Sequence, residues 1–398
     1  MKKTIREQKA VLMILLSNVF IAFLGVGLII PVMPSFMDMM HLSGKTMGYL
    51  VAVFALSQLI ISPFAGRWVD RYGRKRMIVI GLFLFGLSEL IFGFGTSVWV
   101  LYLARILGGI SAAFIMPSAT AYVADITSLE ERPKAMGYIS AAISTGFIIG
   151  PGIGGFIAEY GIRVPFFFAA VVAFIACLSS VFILKEPLTK EELAEISENA
   201  KKSSFFGDLK KSLHPLYFIA FIIVFVLAFG LSAYETVFSL FSDHKFGFTP
   251  KDIAAIITIS SIFGVIVQIF LFGKMVELLG EKKLIQACLV VGAILAVVSV
   301  MISGFVTVLV VTSFIFLAFD LLRPALTTFL SKAAGKEQGF VAGMNSTYTS
   351  LGNIVGPALG GVLFDVNIQY PYLFAAVIMV VGLVITALWK DRQMAENN

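Results

Sequence analysis

Charged side chains are scarce in this chain. Only 14% of its 398 residues are Asp, Glu, Lys or Arg, whereas 59% are hydrophobic, and the mean hydropathy is +0.95. Soluble domains carry about 25% charged residues. A fold surrounded by water could not bury so much apolar surface, so the composition excludes an ordinary soluble protein and predicts a lipid bilayer as the solvent.

Cysteine and histidine are also rare. Cys177 and Cys288 lie in apolar runs, which favours buried free thiols over a disulfide. His41, His214 and His244 lie in separate loops, without the spacing of metal ligands, and no phosphate-binding loop motif is present. We therefore expect no group of catalytic residues, no metal, no cofactor and no ATP-driven step. On this basis we expect that the protein is not an enzyme.

Long uncharged runs are what the chain has in abundance. About 20 apolar residues are needed to cross the hydrocarbon core, and runs of that length satisfy their backbone groups in lipid only as helices. We count twelve such runs, approximately 11–37, 46–66, 77–96, 98–122, 135–158, 164–184, 216–241, 253–273, 284–302, 306–330, 339–364 and 366–389. The sequence thus predicts an all-α membrane protein with twelve transmembrane helices. The first run is longer than the apolar region of a signal peptide, so we expect it to be a transmembrane helix and not a cleaved signal.

Basic residues are distributed unevenly between the loops. Of the 30 Lys and Arg residues, 24 lie in the N-terminal segment, in the loops that follow even-numbered spans and in the C-terminal segment, and four lie on the other face. Cytoplasmic loops carry the excess of positive charge, so both termini are predicted to be cytoplasmic. The net charge of +6 is explained by these loops, and we expect no binding to nucleic acid.

Two sequence motifs occur twice. The stretch Gly66 to Arg76 returns 207 residues later as Gly273 to Lys283, and Gly146 to Gly155 returns 206 residues later as Gly352 to Gly361. Such a repeat indicates two similar halves, with a substrate site expected between them. The predicted organisation is an N-terminal six-helix half (1–184), a cytoplasmic linker that acts as a tether (185–214) and a C-terminal six-helix half (215–398).

The first motif predicts a gating turn. Gly66 and Gly73 allow a tight bend and close approach of helices, Asp70 is expected to accept hydrogen bonds from a helix N-terminus, and Arg74 belongs to the basic cytoplasmic cluster. The alternative is a plain basic loop, which the second copy disfavours.

The second motif predicts a close helix crossing. Gly146, Gly150 and Gly154 are spaced by four and share one helix face, and Pro151 removes a backbone hydrogen bond and so allows flexing. We favour packing that moves during transport over packing alone.

Five ionisable residues lie inside the predicted spans: Glu89, Arg105, Glu235, Asp320 and Arg323. Each costs about 2.5–3.5 kcal/mol at the bilayer centre unless it is paired or faces water. Glu235 has no basic neighbour within one turn of its own helix, so we expect it to titrate or to meet a cationic ligand. Asp320 and Arg323 share a face, and either a structural ion pair or a proton-carrying Asp320 fits that spacing. Arg105 is expected to be structural or an electrostatic switch, and the role of Glu89 stays open.

Aromatic residues accompany these acids. Phe229, Tyr234 and Phe238 lie near Glu235 in the sequence, and others lie near Asp320, namely Phe314, Phe316 and Phe319. Aromatic faces beside a carboxylate form a suitable site for flat, apolar cations, although most such rings pack or face lipid. The substrate-binding residues that we predict are Tyr234, Glu235, Phe238, Phe316 and Asp320.

The motifs resemble those of the major facilitator superfamily. Gly66 to Arg76 resembles its signature turn between the second and third spans, and Arg105 to Gly109 resembles its fourth-span arginine motif. Gly146 to Gly155 resembles the fifth-span motif of its drug:proton antiporters, and Gly25 to Pro34 is similar to the first span of the Bmr/Blt/NorA group of multidrug pumps. Two positions depart from the pattern: Trp68 stands where Leu is usual, and the first span has no acid.

The resemblance implies export of diverse amphipathic compounds, many cationic, in exchange for protons across a bacterial cell membrane. It implies proton coupling by Glu235 and Asp320 and a charge switch at Arg105, to which the sequence adds Arg323 as a second candidate. The expected partners are small amphipathic molecules, protons and lipid, and we expect a monomer. An exporter of one physiological compound, such as a polyamine, stays open as the alternative; the duplicated halves speak against a channel.

Overall fold

The computed structural model describes residues 9–128, 130–189, 191–193, 205–213, 215–334 and 338–388, and in this part of the chain the regular structure is helical throughout. The α-helices are α1 (Lys9–Ile29), α2 (Met33–Met39), α3 (Gly44–Tyr72), α4 (Arg74–Phe94), α5 (Val98–Ile126), α6 (Arg132–Ile157), α7 (Val164–Ile183), α8 (Phe205–Ser212), α9 (Pro215–Phe246), α10 (Pro250–Met301), α11 (Phe305–Ala334), α12 (Gln338–Val366) and α13 (Tyr370–Leu388). Single 3₁₀ turns, Ile30–Val32 and Ala158–Tyr160, follow α1 and α6. The middle of the predicted linker, residues 194–204, and His214 lie outside the described residues.

Ten helical segments in the described ranges are long and apolar enough to cross a membrane. One of them, α10, has 52 residues and is interrupted at Gly280, which has φ 73° and ψ 158°. At 1.5 Å per residue this helix would be about 78 Å long, more than twice the thickness of a hydrocarbon core. The interruption therefore divides α10 into two arms, each of crossing length. The 29-residue α12 is not among the ten segments.

The predicted gating turn is shorter than its motif. Helix α3 continues to Tyr72 and α4 begins at Arg74, so the chain reverses at Gly73 alone. Gly73 has φ 97°, and Gly280 in the second copy has φ 73°. Both values lie in the left-handed region that glycine tolerates at little cost. The two copies of the motif therefore both turn at a glycine with positive φ.

The chain folds into two compact units. Unit 1 comprises Met1–Met40 and Val53–Ser203, and unit 2 comprises His41–Ala52 and Ser204–Asn398. The division places the first residues of α3 in unit 2, which the sequence repeat does not predict. Asp365 holds the start of α3 within unit 2, because its carboxylate accepts hydrogen bonds from the backbone amides of Gly44 (2.7 Å) and Lys45 (3.0 Å) and so caps α3.

The spaced glycines lie at helix crossings within each unit. In unit 1, a Cβ on Gly150 of α6 would stand 2.7 Å from the carbonyl oxygen of Leu24 in α1. In unit 2, a Cβ on Gly352 of α12 would stand 2.7 Å from the amide nitrogen of Phe229 in α9. Since real Cβ atoms do not approach backbone this closely, glycine lets the two helix backbones meet directly, as the spacing predicts.

The two cysteines, Cys177 and Cys288, are buried free thiols, as their apolar surroundings predict. Within the described ranges, no group of three His, Cys, Asp or Glu residues could hold a metal ion.

Candidate functional site

Glu235 of α9 and Arg323 of α11 form an ion pair in unit 2. The Nη2 atom of Arg323 lies 3.3 Å from Oε1 and 3.5 Å from Oε2 of Glu235. The side chain of Glu235 is 45% exposed and that of Arg323 is 61% exposed. Where such a pair faces water it typically contributes about 1 kcal/mol or less, and the contact is then easily broken. The sequence did not reveal this partner, because it comes from another helix.

Asp320 lies one turn before Arg323 on α11 but is not its ion-pair partner. Of the two interpretations that the spacing allowed, a direct ion pair between Asp320 and Arg323 is not formed among the described residues. The two charges interact only at longer range, and Arg323 contacts Glu235. The half-buried carboxylate of Asp320 instead lies against Gly264 of α10, where a Cβ atom would collide with Oδ2. Gly264 therefore makes the space that Asp320 occupies.

A cavity of about 310 Å³ lies between α9, α11 and α12 of unit 2. Its apolar lining residues are Val224, Leu227, Ala228, Leu231, Leu322 and Leu326, and its polar ones are Arg323, Thr327, Asn345, Thr349 and Asn353. Glu235 follows Leu231 by four residues on α9, so it continues the cavity-lining face by one turn. Sequence reasoning identified Arg323 but missed the uncharged polar residues of α12, whose signal was their spacing of four.

The aromatic residues that we predicted to bind substrate lie in a packed cluster. Tyr234 is fully buried and Phe238 is 3% exposed. The Tyr234 ring centroid lies 4.9 Å from that of Tyr372 and 5.7 Å from that of Phe319, and the rings of Phe238 and Phe316 are 5.9 Å apart. Tyr234 and Phe238 line a void of only about 10 Å³, and neither they nor Phe316 line the larger cavity. Contact between these three rings and a substrate stays a prediction.

Unit 1 holds a second pair of opposite charges inside its helices. Glu89 of α4 is 2% exposed, and none of the described residues makes a hydrogen bond with its Oε2 atom. Arg105 of α5 places its guanidinium 4.2 Å from the ring centroid of Phe92 and interacts electrostatically with Glu89. Glu89 is buried and Arg105 is half-buried against the ring of Phe92, which supports the structural interpretation of Arg105.

Arg74 is the centre of the gating turn. It is 4% exposed, its Nε donates to Asp125 over 2.7 Å, and its Nη2 lies 3.3 Å from Asp70. Its Nη1 also donates to the carbonyl of Val69 over 3.0 Å. Asp70 was expected to accept from a helix N-terminus, and this is wrong in the present structure, because Asp70 pairs with Arg74.

Glu186, just after α7, takes the capping role instead. Its two carboxylate oxygens accept hydrogen bonds from the backbone amides of Arg74 (2.9 Å) and Lys75 (3.0 Å) at the start of α4. A carboxylate at a helix N-terminus satisfies amides that have no partner within the helix and complements the helix dipole. The second residue of the predicted linker is therefore part of the turn. Only the fold brings these positions together, so no local pattern signals the contact.

Comparisons with known proteins agree with the resemblance over nearly the whole chain. The family model described as Major Facilitator Superfamily matches residues 15–244 and 220–398. "Multidrug resistance protein 2" of Bacillus subtilis (strain 168) is 72% identical over 99% of this chain and 98% of its own length. "Quinolone resistance protein NorA" of Staphylococcus aureus (strain MRSA252) is 41% identical over 96% of both chains. The crystal structure of the nucleoside transporter NupG has a TM-score of 0.78 at 15% identity, covering 95% of this chain and 99% of the other, and supports the fold alone.

Proposed function

The chain belongs to the Major Facilitator Superfamily, and we propose that it exports amphipathic, often cationic, compounds in exchange for protons by alternating access. It is a transporter rather than an enzyme, and it is a multi-pass protein of a bacterial cell membrane. The relatives named for multidrug or quinolone resistance support drugs as its cargo.

We propose twelve crossings with both termini in the cytoplasm and a single chain as the working unit. Ten helical segments among the described residues are of crossing length, and one of them, α10, has two arms that can each cross. With α12, which is long enough to cross as well, these segments support twelve. The excess of Lys and Arg in one set of loops supports the orientation. The repeated motifs support an N-terminal half (1–184), a linker (185–214) and a C-terminal half (215–398).

The accessible pair of Glu235 and Arg323 beside the cavity carries the proposal. Protonation of Glu235 removes its negative charge and releases Arg323, whereas a cationic substrate stabilises the charged carboxylate and displaces the proton. Asp320 supplies a second carboxylate one turn from Arg323. Because proton and cargo compete for the same acids, binding one favours release of the other.

The cavity lining favours amphipathic cargo over a polyamine. Six of its eleven residues are aliphatic, and a polyamine has no apolar body to lie against them. The side chain of Arg323 would also repel an oligocation. An amphipathic molecule gains from the apolar wall and still reaches the polar residues.

Two structural features support the movement that alternating access needs. The carboxylates of Asp70 in α3, Asp125 in α5 and Glu186 after α7 all contact Arg74 at the start of α4. The contacts of this turn can therefore open or close as a set. Gly150 and Gly154, next to Pro151, allow α1 and α6 to slide without a side chain between their backbones. We propose both as gating elements.

Everted membrane vesicles provide the test. Respiration acidifies the vesicle interior, and adding a cationic dye is expected to release protons through the parent protein. Asp320→Asn keeps the shape of the side chain but cannot ionise, so we expect it to abolish the dye-induced release. A pH-sensitive fluorophore in the vesicle suspension measures the effect.

Glu191→Gln is the matched control, because Glu191 is an exposed carboxylate of the linker segment and its removal should leave the release unchanged. Undiminished, dye-dependent proton flux in Asp320→Asn vesicles would contradict the assignment of that residue. Dye export that persists after the pH gradient has been collapsed would contradict proton exchange itself.

A further inference from the structure

A small void in unit 2 is lined by one hydroxyl group from each of four helices. Its volume is about 10 Å³, and its polar lining residues are Tyr234 of α9, Ser299 of α10, Thr312 of α11 and Tyr372 of α13. The remaining lining residues are apolar, namely Phe238, Phe241, Phe246, Ile302 and Val308. Four hydroxyl groups therefore share one small space in an otherwise apolar region.

The hydroxyl groups of the two tyrosines have no hydrogen-bond partner in the described part of the chain. Tyr234 and Tyr372 are fully buried, and none of the described residues makes a hydrogen bond with either hydroxyl oxygen. The hydroxyl of Tyr234 is close to Ser299 and Thr312, but not in hydrogen-bonding geometry. Tyr372 interacts electrostatically with Tyr234. A buried hydroxyl without a partner is costly, and buried tyrosines usually have one.

The size and the polarity of the void match one water molecule. A bound water needs about 10–15 Å³ of accessible space and two to four polar partners, whereas cavities that stay dry are apolar. The hydroxyl of Ser299 already donates to the carbonyl oxygen of Leu295 over 2.9 Å. Ser299 can therefore only accept a hydrogen bond from an occupant of the void.

We propose that one ordered water occupies this void and joins the four helices. It accepts hydrogen bonds from the hydroxyls of Tyr234 and Tyr372, and it donates to the oxygens of Ser299 and Thr312. A water molecule has two protons to donate and two lone pairs to accept with, so this arrangement uses each of them once. It gives both buried tyrosine hydroxyls the partner that the protein itself does not supply.

Lys245 fixes two walls of the void. Its Nζ atom donates to the carbonyl oxygens of Val300 (2.6 Å) and Ser299 (3.3 Å). The same atom lies 5.0 Å from the ring centroids of both Phe241 and Phe246. These contacts hold the ends of α9 and α10 together beside the hydroxyl groups. The ammonium group also repels any cation that might compete for the void, so a neutral water fits the electrostatics as well as the size.

The bound water gives Tyr234 a role that does not require cargo. Its hydroxyl helps to hold α9 against α10, α11 and α13, whereas Glu235, the next residue, contacts Arg323. No described residue lines both the void and the larger cavity of unit 2. The water site is therefore independent of the transport activity that we propose.

Radiolytic labelling of the full-length parent protein tests for the water directly. A short X-ray pulse splits water into hydroxyl radicals, which oxidise aromatic rings close to the water from which they form. We expect Tyr234 and Tyr372 to be labelled severalfold faster than Tyr122 of α5. Tyr122 is the matched control, since it is also buried but its hydroxyl donates to the carbonyl oxygen of Lys185. Mass spectrometry of proteolytic peptides measures the three rates.

Removal of the hydroxyl groups provides a second measurement. Tyr234→Phe and Tyr372→Phe each take one partner from the water, and each is expected to lower the melting temperature by about 2–4 °C. The double variant should lose less than the sum of the two, because both hydroxyls share one water. Tyr370→Phe, two residues before Tyr372 on the same helix, changes an exposed side chain and should leave the melting temperature unchanged.

Labelling of Tyr234 and Tyr372 no faster than that of Tyr122 would overturn the proposal. A melting temperature that rises in both Phe variants would also overturn it, because the hydroxyls would then have had no partner to lose. Fully additive losses in the double variant would reject a shared water. The labelling uses the parent protein alone, so it decides even where a variant fails to fold. Dye export that follows the pH gradient in a protein without this water would leave the proposed function intact.

Discussion

The two units enclose opposite charges in different ways. In unit 1, Glu89 is 2% exposed and Arg105 is held over the ring of Phe92. In unit 2, Glu235 and Arg323 meet beside a cavity and are 45% and 61% exposed. Both pairs lie within membrane-spanning helices, where an isolated charge is costly.

We propose that this difference separates a structural pair from an exchangeable one. Removing one member of an enclosed pair leaves a desolvated charge and destabilises the fold. Removing one member of a pair that faces water costs little stability and leaves the other member accessible to ligands. We therefore propose that exposure, rather than the presence of a charge, indicates which acids exchange with cargo and protons.

The largest effect is expected when the two acids are compared directly. Glu235→Gln should lower dye-induced proton release at least tenfold, because it removes the charge from the site that we propose cargo and proton share. Glu89→Gln should keep more than half of the parent release, since no cargo reaches an acid that is 2% exposed. Proton release in everted vesicles, normalised to the amount of protein, measures both variants.

Similar losses in the two variants would remove the distinction between the pairs. In that case Glu89 would exchange protons as well, and exposure would no longer be a guide. Thermal unfolding of the purified proteins is the control, because it identifies any loss in Glu89→Gln that comes from a destabilised unit 1.

The two copies of the gating turn give the second comparison. Arg74→Gln leaves Asp70 and Asp125 without their cation, and the exposed fractions of these side chains are 30% and 18%. We expect a loss of about 2–3 kcal/mol in the free energy of unfolding, somewhat less than for a fully buried pair. Lys283→Gln in the second copy alters an exposed side chain and should change it by under about 0.5 kcal/mol. Thermal unfolding in detergent compares the two variants, and equal shifts would show that Arg74 does not hold the turn.

Local sequence patterns predicted most of the helices and the glycine crossings. Apolar runs specify helices because the bilayer allows no other way to satisfy the backbone, and spacing by four places Gly146, Gly150 and Gly154 on one face. These features depend on neighbours in the sequence. The left-handed glycines at 73 and 280 were likewise visible as a repeated motif.

Contacts between distant positions could not be predicted in this way. Arg323 had a local candidate in Asp320, but the fold offers Glu235, 88 positions away. Glu186 reaches α4 across more than 100 positions, and no pattern in the sequence marks it as a cap. The uncharged polar residues of α12 that line the cavity were missed for a different reason. Such residues cost less in a membrane than acids, so their presence in a span is a weaker signal of function.

The last comparison concerns two glycines, one from each repeated motif. A Cβ on Gly150 would stand 2.7 Å from the carbonyl oxygen of Leu24, so Gly150→Ala must push α6 away from α1 and should cost about 1–3 kcal/mol.

Gly66, by contrast, has no atom within 4 Å of such a Cβ and lies within α3. Alanine there reduces the conformational freedom of the unfolded chain. Gly66→Ala should therefore leave the free energy of unfolding unchanged or raise it by up to about 1 kcal/mol. If Gly66 takes part in gating, helices must approach it in another state of the transport cycle, and dye export should then fall severalfold in a protein that is no less stable. Melting temperature and dye export measured on the same preparation separate the two roles. A variant that keeps both at parent levels would restrict the gating function of the turn to Gly73, Arg74 and the acids around them.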